Sequence, residues 1–216
     1  MIKPRTFTAA LALALGAGAA QAAFQGRLVD GTASTTCTVS GPDKCAMFYN
    51  TTLDITILND WNIGEGEWSA TAAAGSAQAL AESAGAAQTA FTGWFLPTGN
   101  GSEPAGPLNQ VRSIWNELGG SFTNPIAPFQ AQFDGVQDYY YWSRSFFDTT
   151  EGDAWFFNPG GPFGEQGGGG QSSRYFAVAV RPGDVISAVP EPQPLILALL
   201  GLGVTVVASR RRSRCE

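Results

Sequence analysis

Nine of the nineteen residues from Tyr139 to Phe157 are aromatic: Tyr139, Tyr140, Tyr141, Trp142, Phe146, Phe147, Trp155, Phe156 and Phe157. Rings of this kind suit a pleated, half-buried surface, and strands are predicted over 140–144, 154–157 and 175–181. In the last of these Phe176, Val178 and Val180 alternate with Tyr175, Ala177, Ala179 and Arg181. Successive strand side chains point to opposite faces, so about half of the rings must turn away from any one core. The glycine run 167–170 reads as a flexible connector. It lacks the following Lys-Ser/Thr and helix that a phosphate-cradling loop needs.

Upstream, "FQGRLVDGTASTTCTVS" and "AMFYNTTLDITILND" are rich in strand formers separated by turn residues. Leu53, Ile55 and Ile57 alternate with Asp54, Thr56 and Leu58, which predicts a half-buried strand. The alanine-rich stretch that follows predicts a helix over 67–84, with Glu65 and Glu67 near its positive end. Trp68, Ala72, Leu80 and Ala84 share one face of it, and Gly75 and Gly85 weaken it. A second helix is predicted over 107–118, with Pro107 in the tolerated first turn and Val111, Ile114, Trp115 and Leu118 on the apolar face.

The two ends differ from this body. Residues 1–22 carry Lys3 and Arg5, then an apolar run, then Ala20-Gln21-Ala22, the three-part build of a secretory signal helix that signal peptidase cuts after Ala22. Residues 195–208 hold no charge. At 1.5 Å per residue they span about 21 Å, short of a hydrocarbon core of roughly 30 Å. The C-terminal hydrophobic helix predicted over 194–209 can therefore hold a precursor in the inner membrane but makes a poor permanent anchor. Arg210, Arg211, Arg212 and Arg214 stay cytoplasmic by the positive-inside rule, which leaves the body outside.

Removing both ends leaves six basic residues against sixteen acids over 23–190, a net charge of −10. Such a surface repels nucleic acid and anionic lipid, so no nucleic-acid partner is expected. Cys37 and Cys45 are the only cysteines of that region and flank a Gly41-Pro42-Asp43 turn signal. In an oxidising compartment they are expected to pair as a hairpin staple. The other reading, a metal site, asks for more ligands, and the chain has no histidine. The same lack excludes Ser-His-Asp and Cys-His catalysis.

Two resemblances rest on these residues. Pro190-Glu191-Pro192, the apolar stretch and the Arg-rich end together resemble the PEP-CTERM sorting signal of Gram-negative bacteria, over 187–216. That implies processing by an exosortase, a membrane cysteine peptidase, and delivery to the cell surface or the extracellular matrix. "TLDITILND", "FTGWFLPTGN", "NELGG", "YYYWSRS", "DAWFFNPG" and "YFAVAVRPGD", in that order, resemble the Lcl C-terminal domain of unknown function, over 48–186. The family is related to C-type-lectin-like and formylglycine-generating-enzyme-like folds. It implies an α+β domain with two helices beside a curved, mainly antiparallel sheet, preceded by N-terminal strands over 23–47. Phe95 stands where the family motif carries arginine, so any polar role of that position is lost. Formylglycine chemistry does not transfer either, because Cys37 and Cys45 lie far upstream of the matched motifs.

Two sites are expected on the body. Asp148, Glu151 and Asp153 lie close together in one loop and offer oxygen ligands for Ca²⁺, although without the EF-hand order; no other cofactor is expected. Tyr140, Trp142 and Trp155 are expected on an exposed face that stacks on sugar rings, with extracellular polysaccharide as the partner. The expectation is thus an exported surface or matrix protein that binds and does not catalyse. The alternative is an enzyme that attacks surface polysaccharide through a pair of facing carboxylates. Mass spectrometry of the chain from fractionated cells should find an N-terminus at Ala23, and a C-terminus near 190–192 in the surface fraction. An intact chain in the cytosol would overturn the export reading.

Overall fold

The computed structural model describes residues 23–120, 123–148, 152–162 and 164–185. The expected signal helix, the Pro190-Glu191-Pro192 motif, the apolar segment and the arginines at 210–214 all lie outside the described residues. Among the described residues, no helix is long and apolar enough to cross a membrane.

Strand formers at 47–58 build the first hairpin: β3 (Met47–Asn50) and β4 (Ile55–Leu58) pair antiparallel, with Met47 opposite Leu58. The turn between them places Asp54 at φ 51°, a left-handed conformation that short polar side chains tolerate. Asn50 Oδ1 accepts from the N–H groups of Thr52 (3.0 Å) and Leu53 (2.8 Å) and holds that turn. β1 (Phe24–Arg27) adds to β3, β2 (Ala33–Ser34) adds to β1, and β10 (Val180–Pro182) flanks β4, giving the order β10-β4-β3-β1-β2. The boundary expected between 47 and 48 therefore falls inside β3. The four strands between Phe24 and Leu58 belong to the same sheet as β10, at the end of the body.

The second sheet has the order β5-β9-β6-β7-β8, from β5 (Glu65–Gly66), β9 (Tyr175–Phe176), β6 (Tyr141–Asp148), β7 (Asp153–Asn158) and β8 (Glu165–Gly170). Its pairings are antiparallel except for the short β6–β9 contact at Tyr141 and Phe176. The single strand predicted over 175–181 is thus two, β9 and β10, in different sheets. Ala177 to Ala179 cross between them, Ala177 N–H donating to Gly64 O and Ala179 O accepting from Leu58 N–H.

Strand alternation sends side chains into two cores. Phe48, Ile57, Trp61, Tyr141, Phe157 and Val180 enter one, and Met47, Leu58, Trp94, Trp142, Ala177 and Ala179 enter the other. β4 is consequently buried throughout, where the alternation at 53–58 predicts one solvated face. Thr56, on its polar parity, is 0 % exposed and donates its hydroxyl to Gly183 O at 2.8 Å.

The described residues form three helices, α1 (Ala77–Gln88), α2 (Gln110–Glu117) and α3 (Ala127–Gln132), one more than expected; α3 is too short to show a period in the sequence. α1 begins ten residues later than predicted, because Gly75 turns at φ 78° and Ser76 caps the helix, accepting from Ala79 N–H. It also runs through Gly85 to Gln88. Trp94 packs flat on Gly85, its indole N–H donating to Phe91 O at 3.0 Å, so only a residue without a side chain fits there. α2 starts after Asn109, whose Oδ1 accepts from Arg112 N–H at 3.2 Å.

Cys37 and Cys45 form the expected disulfide, with Cα atoms 5.0 Å apart. They close a loop, not a hairpin of two strands: Thr38 and Lys44 make only an isolated bridge, and Asn59 Nδ2 fastens the loop through Val39 O (2.7 Å) and Cys45 O (2.8 Å). Arg27, 1 % exposed, reaches from β1 to Asp184 beyond β10 and clasps its carboxylate at 2.8 and 2.6 Å.

Gly85→Ala should lower stability by about 1–3 kcal/mol through overpacking. Helix propensity alone would raise it by up to about 1 kcal/mol. Denaturant unfolding followed by tryptophan fluorescence distinguishes the two signs.

Candidate functional site

Gly167 to Gly170 are not a connector but the body of β8, paired without a break to β7 from Asp153 opposite Gly170 to Asn158 opposite Glu165. Glycine has no strand preference of its own, and its neighbours impose this state. A Cβ on Gly167 would lie 2.8 Å from the Phe156 ring, and one on Gly168 would lie 2.6 Å from Phe147. One on Gly169 would meet Tyr175 at 3.0 Å and Trp142 at 3.2 Å. Aromatic rings from β6, β7 and β9 occupy the space where the side chains of β8 would stand.

On one face of this sheet the rings form a continuous cluster. Tyr140 lies 4.5 Å from Phe156 and 5.2 Å from both Tyr139 and Tyr175. Phe156 meets Tyr175 edge-on at 5.7 Å, and Tyr175 packs at 4.4 Å on Trp142. Tyr139 is 46 % exposed, and Tyr140, Phe156 and Tyr175 are half-buried. Trp142 forms the floor at 0 % exposed, its indole N–H donating to Gly66 O at 3.0 Å. The result is a shallow, mostly apolar platform with phenol groups, suited to stacking on the flat face of a ring.

Of the three rings expected on this face, Tyr140 lies on it and the two tryptophans correct the reading. Trp142 is buried beneath it. Trp155, 8 % exposed, points to the opposite face of the sheet, against Phe147 at 4.5 Å. Trp142 stands directly across from Phe156, so Phe156 and not Trp155 shares the parity of Tyr140. Tyr139, Phe156 and Tyr175 are the members that sequence reasoning misses; the β6–β7 register is the signal that would have found Phe156.

The expected calcium ligands Asp148 and Asp153 stand opposite each other where β6 meets β7, and Glu151 lies outside the described residues. Among the described residues, no three acidic, cysteine or histidine side chains gather in a way that could hold a metal.

Three hollows also mark the surface of the described residues. One of about 580 Å³ lies beside the disulfide, lined by Phe24, Gln25, Ser34, Val39 and Gln132 among others, and its charged residue, Arg27, is held by Asp184. A second, of about 400 Å³, is lined by Phe24, Glu117 and Pro128. The third, of about 230 Å³, holds Gln78, Glu82, Phe95 and Arg144, with the Arg144 guanidinium 4.8 Å above the Phe95 ring. Phe95 thus serves here as the bed for a cation. None of these three hollows brings two carboxylates face to face. No family model matches the chain, and no curated protein matches it.

Tyr141 anchors the strand that presents the platform, accepting from Gln137 N–H (2.8 Å) and donating to Trp61 O (3.0 Å). Burial pushes its pKa well above the ordinary tyrosine value, against a smaller lowering by the Gln137 hydrogen bond. The neutral phenol is therefore favoured by folding, a contribution intact below about pH 10 and lost as pH rises beyond it. The denaturation midpoint should hold to about pH 9 and then fall. Tyr141→Phe should cost about 1–2 kcal/mol at neutral pH and flatten most of the alkaline fall. The remainder belongs to Tyr49, whose hydrogen bond to Asp54 also raises its pKa.

Proposed function

We propose that this is an exported, exosortase-processed protein of the bacterial surface or extracellular matrix, whose body is a non-catalytic, lectin-like α+β domain that binds polysaccharide. The observation that carries the binding reading is the platform of Tyr139, Tyr140, Phe156 and Tyr175, packed ring to ring and left half open beside the four glycines of β8. A sugar ring presents axial C–H groups that stack on such rings, and the phenol hydroxyls can bond its equatorial hydroxyls. A shallow face fits a polymer that runs across it and does not need to be enclosed. Among the described residues, three short helices beside two mostly antiparallel sheets are consistent with the lectin-like assignment. The Cys37–Cys45 disulfide supports an address outside the reducing cytosol. The Pro190-Glu191-Pro192 tail with its short apolar run and arginines supports exosortase as the processing partner.

Affinity electrophoresis in gels cast with matrix polysaccharide from exopolysaccharide-forming bacteria, backed by a glycan array, tests this reading. Wild-type protein should be retarded, and Tyr139→Ala and Tyr140→Ala should each weaken binding by about tenfold, on the order of 1.4 kcal/mol per ring. Retardation unchanged by both substitutions, or none at all, would overturn the assignment.

A further inference from the structure

We propose that removal of residues 1–22 creates, at Ala23, an ammonium group that pairs with Glu117 and ties the first strand of the body to the end of α2. The proposal rests on the export reading for the cut after Ala22 and takes the rest from the fold. Hydrolysis of the Ala22–Ala23 bond adds the hydroxyl of a water molecule to the Ala22 carbonyl carbon and leaves the remaining hydrogen on the Ala23 nitrogen. A neutral amide becomes an amine whose ordinary pKa is about 7.7–8.0, protonated at neutral pH.

The surroundings of Ala23 call for such a charge. Glu117 is the last residue of α2, at the negative end of the helix dipole, where a carboxylate is unfavourable and a cation is favoured; the last turn of α2 holds no basic residue. Its partner among the described residues is neutral: Asn50 Nδ2 donates to Glu117 Oε2 at 2.5 Å. The ion pairs among the described residues, Arg27–Asp184 and Lys44–Asp134, leave Glu117 out. Ala23 and the half-buried Glu117 line the same hollow of about 400 Å³, whose other described lining residues, from β1, α3 and the end of α2, carry no charge. The backbone holds Ala23 there: Thr51 N–H donates to Ala23 O at 2.9 Å, and Phe24 stands opposite Asn50 in the β1–β3 ladder. Asn50, 0 % exposed, thus positions both partners, Glu117 through its side chain and Ala23 through its strand. In the precursor the same nitrogen belongs to a peptide bond and carries no charge, so the pair forms only after the cut. Release from the signal segment and the last tie between β1 and α2 are then one event.

With residues 1–22 gone, the amines left in the chain are those of Ala23 and Lys44, since Lys3 leaves with the signal segment. Reductive methylation of the exported chain with isotope-labelled formaldehyde, its tail intact and held in detergent micelles, therefore gives separate methyl signals for an α-amine and an ε-amine. Titration by NMR should place the Ala23 amine about one unit above an unstructured N-terminus, a roughly tenfold tighter hold on the proton. Glu117→Gln should return it to the ordinary value. So should a Gly-Ser insertion between residues 22 and 23, which keeps Glu117 and moves the amine away. Lys44, held by Asp134, is the internal reference and should move in neither variant. An amine whose pKa is raised by folding contributes stability that is whole below about pH 8 and lost as pH rises through the raised value. At pH 7 the processed chain should therefore unfold at higher denaturant than the insertion variant, and the difference should vanish by about pH 10. The Tyr141 and Tyr49 contributions are common to both chains and cancel. An N-terminus other than Ala23 would overturn the export reading and the pair together. An Ala23 amine of ordinary pKa, or one equally raised in Glu117→Gln, would overturn the pair alone.

Discussion

The buried guanidinium of Arg27 ties the beginning of the body to its end. It donates through Nε and Nη2 to the two oxygens of Asp184, through Nη1 to Gly26 O, and through Nη2 to Gln25 Oε1, and it lies 5.4 Å from the Tyr49 ring centre. A charge so deeply placed is tolerated because it is paired and each of its three nitrogens donates to an acceptor. The pairing fixes where the chain must return after β10: Gly183 to receive the Thr56 hydroxyl, and Val185 against the 28–32 turn at Gly31. β1 and β10 then sit at opposite flanks of the β3–β4 hairpin, and that hairpin is covered on both sides. Both cores draw residues from it.

A second constraint recurs through the molecule: flat rings set against residues that have no side chain. Trp94 lies on Gly85 within α1, Phe156 and Phe147 lie on opposite sides of β8 at Gly167 and Gly168, and Trp115 lies on Gly164. Interiors are packed to the density of organic crystals, so a ring that approaches backbone excludes every larger residue from that position. The many glycines and aromatics of this chain are therefore one feature. The aromatic platform follows from it. Once Trp142 and Tyr175 fill the space above Gly169, the next rings, Tyr140 and Phe156, are stacked outward and left half in water.

Much of the secondary structure was legible because its signals are local. The strand signals at 140–144 and 154–157, the helix at 110–117 and the Cys37–Cys45 pair all rest on alternation, apolar spacing or a turn within a few residues. The misreadings share a different cause. β4 looks half-buried because Thr56 and Asp54 interrupt its apolar residues, yet Thr56 finds a backbone acceptor in the interior and the strand is covered on both faces. Gly85 looks like a helix breaker because propensity cannot register an indole lying on it. Trp155 looks like a binding ring because parity within one strand says nothing about which parity is outward. That depends on the register with the next strand.

What the sequence by itself determined is the chemistry available and the local backbone. An acidic surface, no histidine, one cysteine pair in the body, and strands dense in rings are all consequences of residue identity and of spacing a few positions long. Only the tertiary structure decided which rings meet solvent, that four glycines become an edge strand, and that 175–181 divides between two sheets. The physical reason is the same in each case. A glycine has no side chain to state a preference, and a strand buried on both faces has no polar parity to mark its outside. Their state is set by neighbours brought from far along the chain.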